Sequence, residues 1–217
     1  MKKLILSAAL ASAVVFAPAF AATTPDNAKA KTEKAVKADK TLKVNTSASK
    51  LVWNGKKVTG EHTGNINISN GNLLIAKNQL VGGTFDIDMN SMTATDITDA
   101  EYNGKFIGHM KSDDFFSTAK YPKATFKITN VAAIKGAKQG QPNYNVTGDL
   151  TIKGITNKVT FPATVKVEGN KATANGTATV DRTKYDIKYG SKSFFESIGD
   201  KAINDDFTLN FNVIANQ

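Results

Sequence analysis

The chain has 217 residues, 41% hydrophobic and 22% charged, and contains no cysteine. This balance excludes wholesale disorder, and no apolar run reaches the roughly 18–20 residues that a membrane-spanning helix needs. Without cysteine there are no disulfides, thiolate catalysis, iron–sulfur clusters or cysteine-ligated zinc, and the only two histidines, His62 and His109, exclude a three-histidine metal site.

Met1 to Ala21 reads as a signal peptide. Lys2 and Lys3 form its positive start, Leu4 to Ala17 is almost wholly apolar, and Ala19-Phe20-Ala21 supplies a small-x-small cleavage pattern. Cleavage there leaves 196 residues beginning at Ala22. No cysteine follows the site, so lipid anchoring by that route is closed and the expected destination is the periplasm. Residues 22–40 carry five lysines, three acidic residues and one large aliphatic, Val36, which predicts a flexible lysine-rich linker. The barrel domain is expected over residues 41–217.

The formal charge is +9, and loss of Lys2 and Lys3 takes it to +7. The lysines are scattered singly and Arg182 is the only arginine. Nucleic-acid readers lean on arginine forks, so no nucleic-acid partner is expected. The lysines read instead as a solvated surface, open to transient attraction by anionic membrane faces.

From Thr41 onward the pattern has period two. Phe85, Ile87 and Met89 form one apolar set, and Tyr144, Val146, Gly148, Leu150 and Ile152 another. Val159 to Val167, Tyr185-x-Ile187-x-Tyr189, and Phe207 to Val213 continue it, with weaker runs at Leu42–Val44, Leu51–Trp53, Ile66–Ile68, Leu73–Ile75 and Phe126–Ile128. Strict alternation gives strands with one dry face, which pair antiparallel. Asn54-Gly55, Asn70-Gly71 and Gly169-Asn170 read as tight turns. The predicted fold class is all-β, an extended antiparallel barrel or sandwich. Closure into a barrel removes exposed edges.

Thr98-Asp99-Ala100-Glu101 fits a capping box, followed by a helical stripe of Tyr102, Phe106 and Met110 with Ile107 beside it. That stripe is expected against a barrel mouth, and a second short helix is expected over Ser193 to Ile198. Ala172, Ala174, Gly176 and Ala178 occupy alternate positions of one strand, facing Phe161, Tyr185, Phe207 and Phe211 on its neighbours. Two readings stand: this is a cavity wall that leaves room for an elongated apolar guest, or the small residues relieve crowding.

The stretch Gly108-His109-Met110-Lys111-Ser112-Asp113-Asp114-Phe115-Phe116, then Tyr121-Pro122 and Phe126, resembles the YceI-like polyisoprenoid-binding family. Gly148 to Thr156 and the ending from Tyr189 onward match the family too, and the resemblance covers about Thr41 to Gln217. Met110 stands where the family usually has leucine. The resemblance implies a lipocalin-like barrel of about eight strands with one or two short helices, holding a long isoprenoid chain such as a polyprenyl lipid or quinone. No other cofactor is implied. An isoprenoid-like lipid is the implied partner, and dimers occur among similar proteins.

The chain is accordingly expected to be a lipid-binding protein and not an enzyme. Its expected ligand contacts are Trp53, Phe85, Phe106, His109, Phe115, Phe116, Phe126, Phe161, Tyr185 and Phe211. His109 and Asp113, four residues apart, could hydrogen-bond, which leaves two alternatives: catalysis on a hydrophobic substrate with His109 as general base, or a non-lipid interaction module whose barrel is filled by its own side chains. Phe115 and Phe116 are read either as a plug of the barrel end or as ligand contacts. Tyr121-Pro122 favours an extended approach to the next strand.

Overall fold

Alternation of apolar and polar residues produces strands whose inward faces share one interior. A computed structural model describes residues 37–217. The expected signal peptide and most of the linker lie outside the described residues. Among the described residues ten strand segments form: β1 (Lys40–Val44), β2 (Lys50–Lys57), β3 (Gly60–Asn65), β4 (Asn67–Ala76), β5 (Gln79–Asp88), β6 (Lys123–Ala133), β7 (Tyr144–Ile152), β8 (Ile155–Glu168), β9 (Lys171–Asp181) and β10 (Ile203–Asn216). An α-helix, α1 (Ala100–Lys111), lies between β5 and β6.

All pairings are antiparallel, in the order β1-β4-β5-β6-β7-β8-β9-β10-β2-β3, and β1 also pairs with β10. Along β10, residues 203–212 face β2 and residues 215–216 face β1, so β1 and β2 are two halves of one stave. β3 and β4 form the adjoining stave in the same way. The result is the expected all-β, lipocalin-like closed barrel of eight antiparallel staves. Its first strand begins at Lys40, whose Nζ donates to the Gly169 carbonyl at 2.8 Å.

The two ends of the barrel differ. The 77–78, 134–143 and 169–170 connections lie at one end, where Leu42, Ile75 and Ala215 are completely buried and Ala172 nearly so. The opposite end carries α1 and the 182–202 segment. Asn103 Nδ2 ties α1 down by donating to the carbonyls of Ala94 (3.0 Å) and Ile97 (2.8 Å).

Several local expectations need correction. Asn70-Gly71 is not a hairpin; it lies within β4 beside a register shift, and Gly71 pairs with Phe85, whose ring covers it. Asn54-Gly55 lies inside β2, and the turn comes later, at Val58-Thr59. Gly169-Asn170 does join β8 to β9. The β4–β5 turn falls on Lys77-Asn78, both left-handed at φ 50° and 59°. That geometry belongs to a tight hairpin, but a lysine at its first position gives no composition signal.

Tyr185, Ile187 and Tyr189 do not form a strand. Asp181 Oδ1 accepts from the Thr183 amide at 2.9 Å, turning the chain into a short 3-10 helix over Arg182–Tyr185. Residues 193–198 are turns and not a helix: the Ser191 carbonyl accepts from the amides of both Phe194 and Phe195. These two rings stay about half exposed. The cap of α1 is Asp99, whose Oδ1 accepts from Tyr102 N at 2.7 Å, in place of Thr98. Glu101 pairs with Lys105 one turn along.

Candidate functional site

Two cavities lie in series along the barrel axis. The larger, of about 600 Å³, sits at the α1 end and is open to solvent beside Lys56, Thr59, Asp200 and Lys201. The smaller, of about 100 Å³, lies deeper, and every residue lining it is apolar. Leu51, Ile87, Leu150 and Leu209, from four staves, line both and form the constriction between them.

The helical stripe forms part of the upper wall, since Tyr102, Phe106 and Met110 all line the large cavity. Phe106 stacks on Trp53 at 6.2 Å between ring centroids. Trp53 is fixed in turn by its Nε1, which donates to the Thr93 carbonyl at 3.0 Å. After α1 the chain folds back sharply: Ser112 Oγ donates to the His109 carbonyl at 2.7 Å and Thr118 N donates to the Lys111 carbonyl at 2.9 Å. This return drives Phe115 and Phe116 inward, each more than nine-tenths buried and each on the cavity wall. Met89 N donates to the Pro122 carbonyl at 2.9 Å, so Tyr121-Pro122 leads directly into the edge of the site.

Both histidines reach this cavity, each held by a carboxylate. His62 Nδ1 lies 2.7 Å from Asp96 Oδ2, with its ring against Phe106 at 4.6 Å. Burial disfavours the Asp96 charge, but bonds from the Thr63 amide and His62 outweigh it and hold this carboxyl below its ordinary pKa. His109 Nε2 lies 2.9 Å from Asp114 Oδ2; the partner is Asp114 and not Asp113, because the chain turns at Ser112. The rings of Phe115 and Tyr189 meet His109 edge-on at 5.0 and 4.7 Å.

Arg182 pins the segment over the open end. It is almost fully buried and donates to the carbonyls of Asn204, Ile187, Tyr189 and Ile203 at 2.8–3.1 Å. Burial lowers its pKa, opposed by the charges of Asp205 and Asp181. Asp205 lies 3.6 Å from the guanidinium and accepts from Ser193 Oγ. Burial works against its charge, yet Ser191, Ser193 and Arg182 hold it below the ordinary carboxylate pKa.

The expected contacts therefore separate into layers. Trp53, Phe106, His109, Phe115 and Phe116 line the large cavity, while Phe85, Phe126, Phe161 and Phe211 line the small one. Tyr185 lines neither: it is 1% exposed and its hydroxyl has no hydrogen-bond partner among the described residues. Ala172, Ala174, Gly176 and Ala178 all lie on the inward face of β9, but only Ala174 and Ala178 border empty space. Ala172 belongs to the packed end, and Gly176 lies under the ring of Phe211, so here the small residues relieve crowding. The interior is thus hollow from the open end down to the level of Leu80 and Val213 and packed beyond it.

Sequence reasoning did not single out Leu51, Leu150, Leu209, His62 or Met92 as lining residues. The first three carried a signal, being on the inward phase of their strands. His62 lies in the polar run Gly60–Asn65, which has no apolar phase, and Met92 in a loop.

A closed antiparallel barrel with an apolar cavity open at one end defines a lipocalin-like binding fold. The chain belongs to the YceI family: the YceI-like domain model matches residues 42–215. The UPF0312 protein of Pseudomonas savastanoi pv. phaseolicola is 38% identical over 86 residues, 37% of this chain and 42% of that protein. Protein YceI of Escherichia coli O157:H7 is 42% identical over 62 residues, 29% of each chain. The matched stretches thus span less than half the length of these relatives. Among solved structures, BcnA of Burkholderia cenocepacia aligns at a TM-score of 0.61 and 27% identity, over 79% of this chain and 99% of that one. A polyisoprenoid binding domain from Saccharophagus degradans aligns at 0.55 and 17% identity, over 81% and 97% of the two chains, a likeness of fold.

Proposed function

We propose that this chain is an exported carrier that encloses the tail of an isoprenoid-like lipid, a polyprenyl quinone or polyprenyl phosphate among the candidates, and moves it across the periplasm. The observation that carries the reading is the cavity of about 600 Å³, walled by aromatic and aliphatic side chains and continued by a second, wholly apolar one. Family membership and the fold shared with a polyisoprenoid binding domain support it. The signal-like start, Met1 to Ala21, supports export.

Burial alone suffices for affinity. Each methylene removed from water contributes about 0.8 kcal/mol, so ten give about 8 kcal/mol before the several kcal/mol lost in ordering the guest. That places binding near the micromolar range without covalent chemistry. Transfer would take place at the open end. Val58, Tyr102, Ile155, Tyr189, Phe194 and Phe195 are the exposed large hydrophobics among the described residues, and all belong to segments at that end. Lys188 lies over the Phe194 ring at 5.2 Å, so lysine and aromatic groups together meet an anionic membrane face. A homodimer joined at this end would cover the same residues.

Native mass spectrometry of protein purified without detergent tests the reading. A co-purifying polyprenyl lipid is the expected result, and a chain that is empty and refuses added prenyl lipids overturns it. The His109–Asp114 pair at the cavity wall favours a second reading, catalysis with His109 as base. Turnover of a hydrophobic substrate that is lost in His109→Ala while binding persists would establish it.

A further inference from the structure

We infer that the aromatic layer below the constriction, centred on Phe161, sets the longest tail this barrel accepts; the inference rests on the lipid-carrier reading above. A tail entering from the open end fills the large cavity first. It can continue only between Leu51, Ile87, Leu150 and Leu209, because these residues border both cavities. Beyond them lies about 100 Å³ of apolar space. Past that space the interior is solid, with Leu42, Ile75 and Ala215 at 0% exposure.

The rings around the small cavity cannot withdraw to admit more. Phe126 rests on Gly148, where an ideal Cβ would stand 2.3 Å from the ring. Phe211 rests on Gly176 in the same way, at 2.8 Å. Phe161 is held between them, 5.5 Å from Phe126 and 5.3 Å from Phe211 by ring centroids. Each ring is already pressed to a neighbouring strand or to another ring, and packed interiors do not deform continuously. The tail therefore ends in the space these rings wall, whose deeper side is lined by Leu73, Leu80, Val165 and Val213.

The length profile is read with a ladder of all-trans prenyl alcohols differing by one isoprene unit, followed by the fluorescence of Trp53, the only tryptophan, on the wall of the large cavity. For the native chain, Kd falls with each added unit and then stops falling. In Phe161→Ala the fall continues at least one unit further, with Kd at least about tenfold below native at that length. In Ala178→Leu, which fills the small cavity, it stops at least one unit earlier. Phe161→Leu, a smaller loss of volume, takes the place of Phe161→Ala should the latter fail to fold by circular dichroism. An unchanged stopping length in folded variants that still bind overturns the length assignment alone. A native chain that binds no prenyl alcohol of any length overturns the carrier reading, and the length assignment with it.

Discussion

The ring of Phe211 on β10 lies directly on the α-carbon of its cross-strand partner Gly176 on β9, so a Cβ there would stand 2.8 Å from Phe211 Cζ and 2.7 Å from the Pro162 carbonyl. Rings lie against strand glycines elsewhere in the barrel too: Trp53 and Phe85 on their cross-strand partners Gly64 and Gly71, and Phe126 on Gly148, which lies diagonal to it. Aromatic rings cover strand glycines that would otherwise expose backbone and weaken the ladder. Gly176→Ala is therefore expected to cost about 1–3 kcal/mol through overpacking, measured by urea unfolding. Adding Phe211→Ala to it should cost less than the sum of the two single changes, because the ring is part of the clash. Strict additivity would mean that ring and glycine do not share this space.

These pairs also mark what could be read from residues alone. The inward phases of β7, β8 and β10 were legible because strand periodicity is local. Tyr144 to Ile152 and Phe207 to Val213 alternate without a break. The motif from Gly108 to Phe116 carried the family, and the stripe through Phe106 placed α1 over the open end. Hidden from the sequence were features that depend on residues distant along the chain. Asn70-Gly71 looks like a turn until Phe85 is seen to need the space above that glycine. Tyr185 shares its spacing with Ile187 and Tyr189, yet the Asp181 cap and Arg182's bonds to backbone carbonyls bend that segment out of the sheet. How far the interior is hollow depends on ring placement across five staves, which no one-dimensional pattern contains.

Tyr185 offers a test that separates stability from binding. Its hydroxyl is buried without a hydrogen-bond partner among the described residues, and burial together with the Asp181 charge pushes its pKa up to about 12. Removing an unsatisfied buried hydroxyl relieves a penalty of about 1–3 kcal/mol. Tyr185→Phe should thus raise the melting temperature and leave prenyl-alcohol affinity unchanged, since Tyr185 lines neither cavity. A destabilised Tyr185→Phe would show that the hydroxyl has a partner in solution.

Acid should loosen the open end before the rest of the barrel. Asp96 and Asp205 both have pKa values held below the ordinary carboxylate value in the folded chain. A depressed folded pKa contributes stability that is fully present above the unfolded value of about 3.9 and is lost as pH falls through the folded one. Protection of the amides over residues 186–202, relative to the intrinsic exchange rate at each pH, is expected to fall below about pH 4, ahead of protection in β7 and β8. Asp205→Asn should remove part of that pH dependence. A uniform loss of protection across all strands would instead point to global acid unfolding.

The relative importance of aromatic and imidazole groups in the large cavity shows which of them holds the guest. Phe106 lies against both Trp53 and His62, and its loss removes apolar contact from the guest. His109 presents one ring, with Nε2 already engaged by Asp114. A single hydrogen bond is worth about 0.5–1.5 kcal/mol net, whereas a buried aromatic contributes about 1.5–3 kcal/mol. Phe106→Ala is accordingly expected to weaken prenyl-alcohol binding by at least about tenfold. His109→Ala should weaken it by less, provided circular dichroism shows the fold intact. Isothermal titration of both variants decides between them, and the reverse order would assign His109 the dominant role in holding the guest.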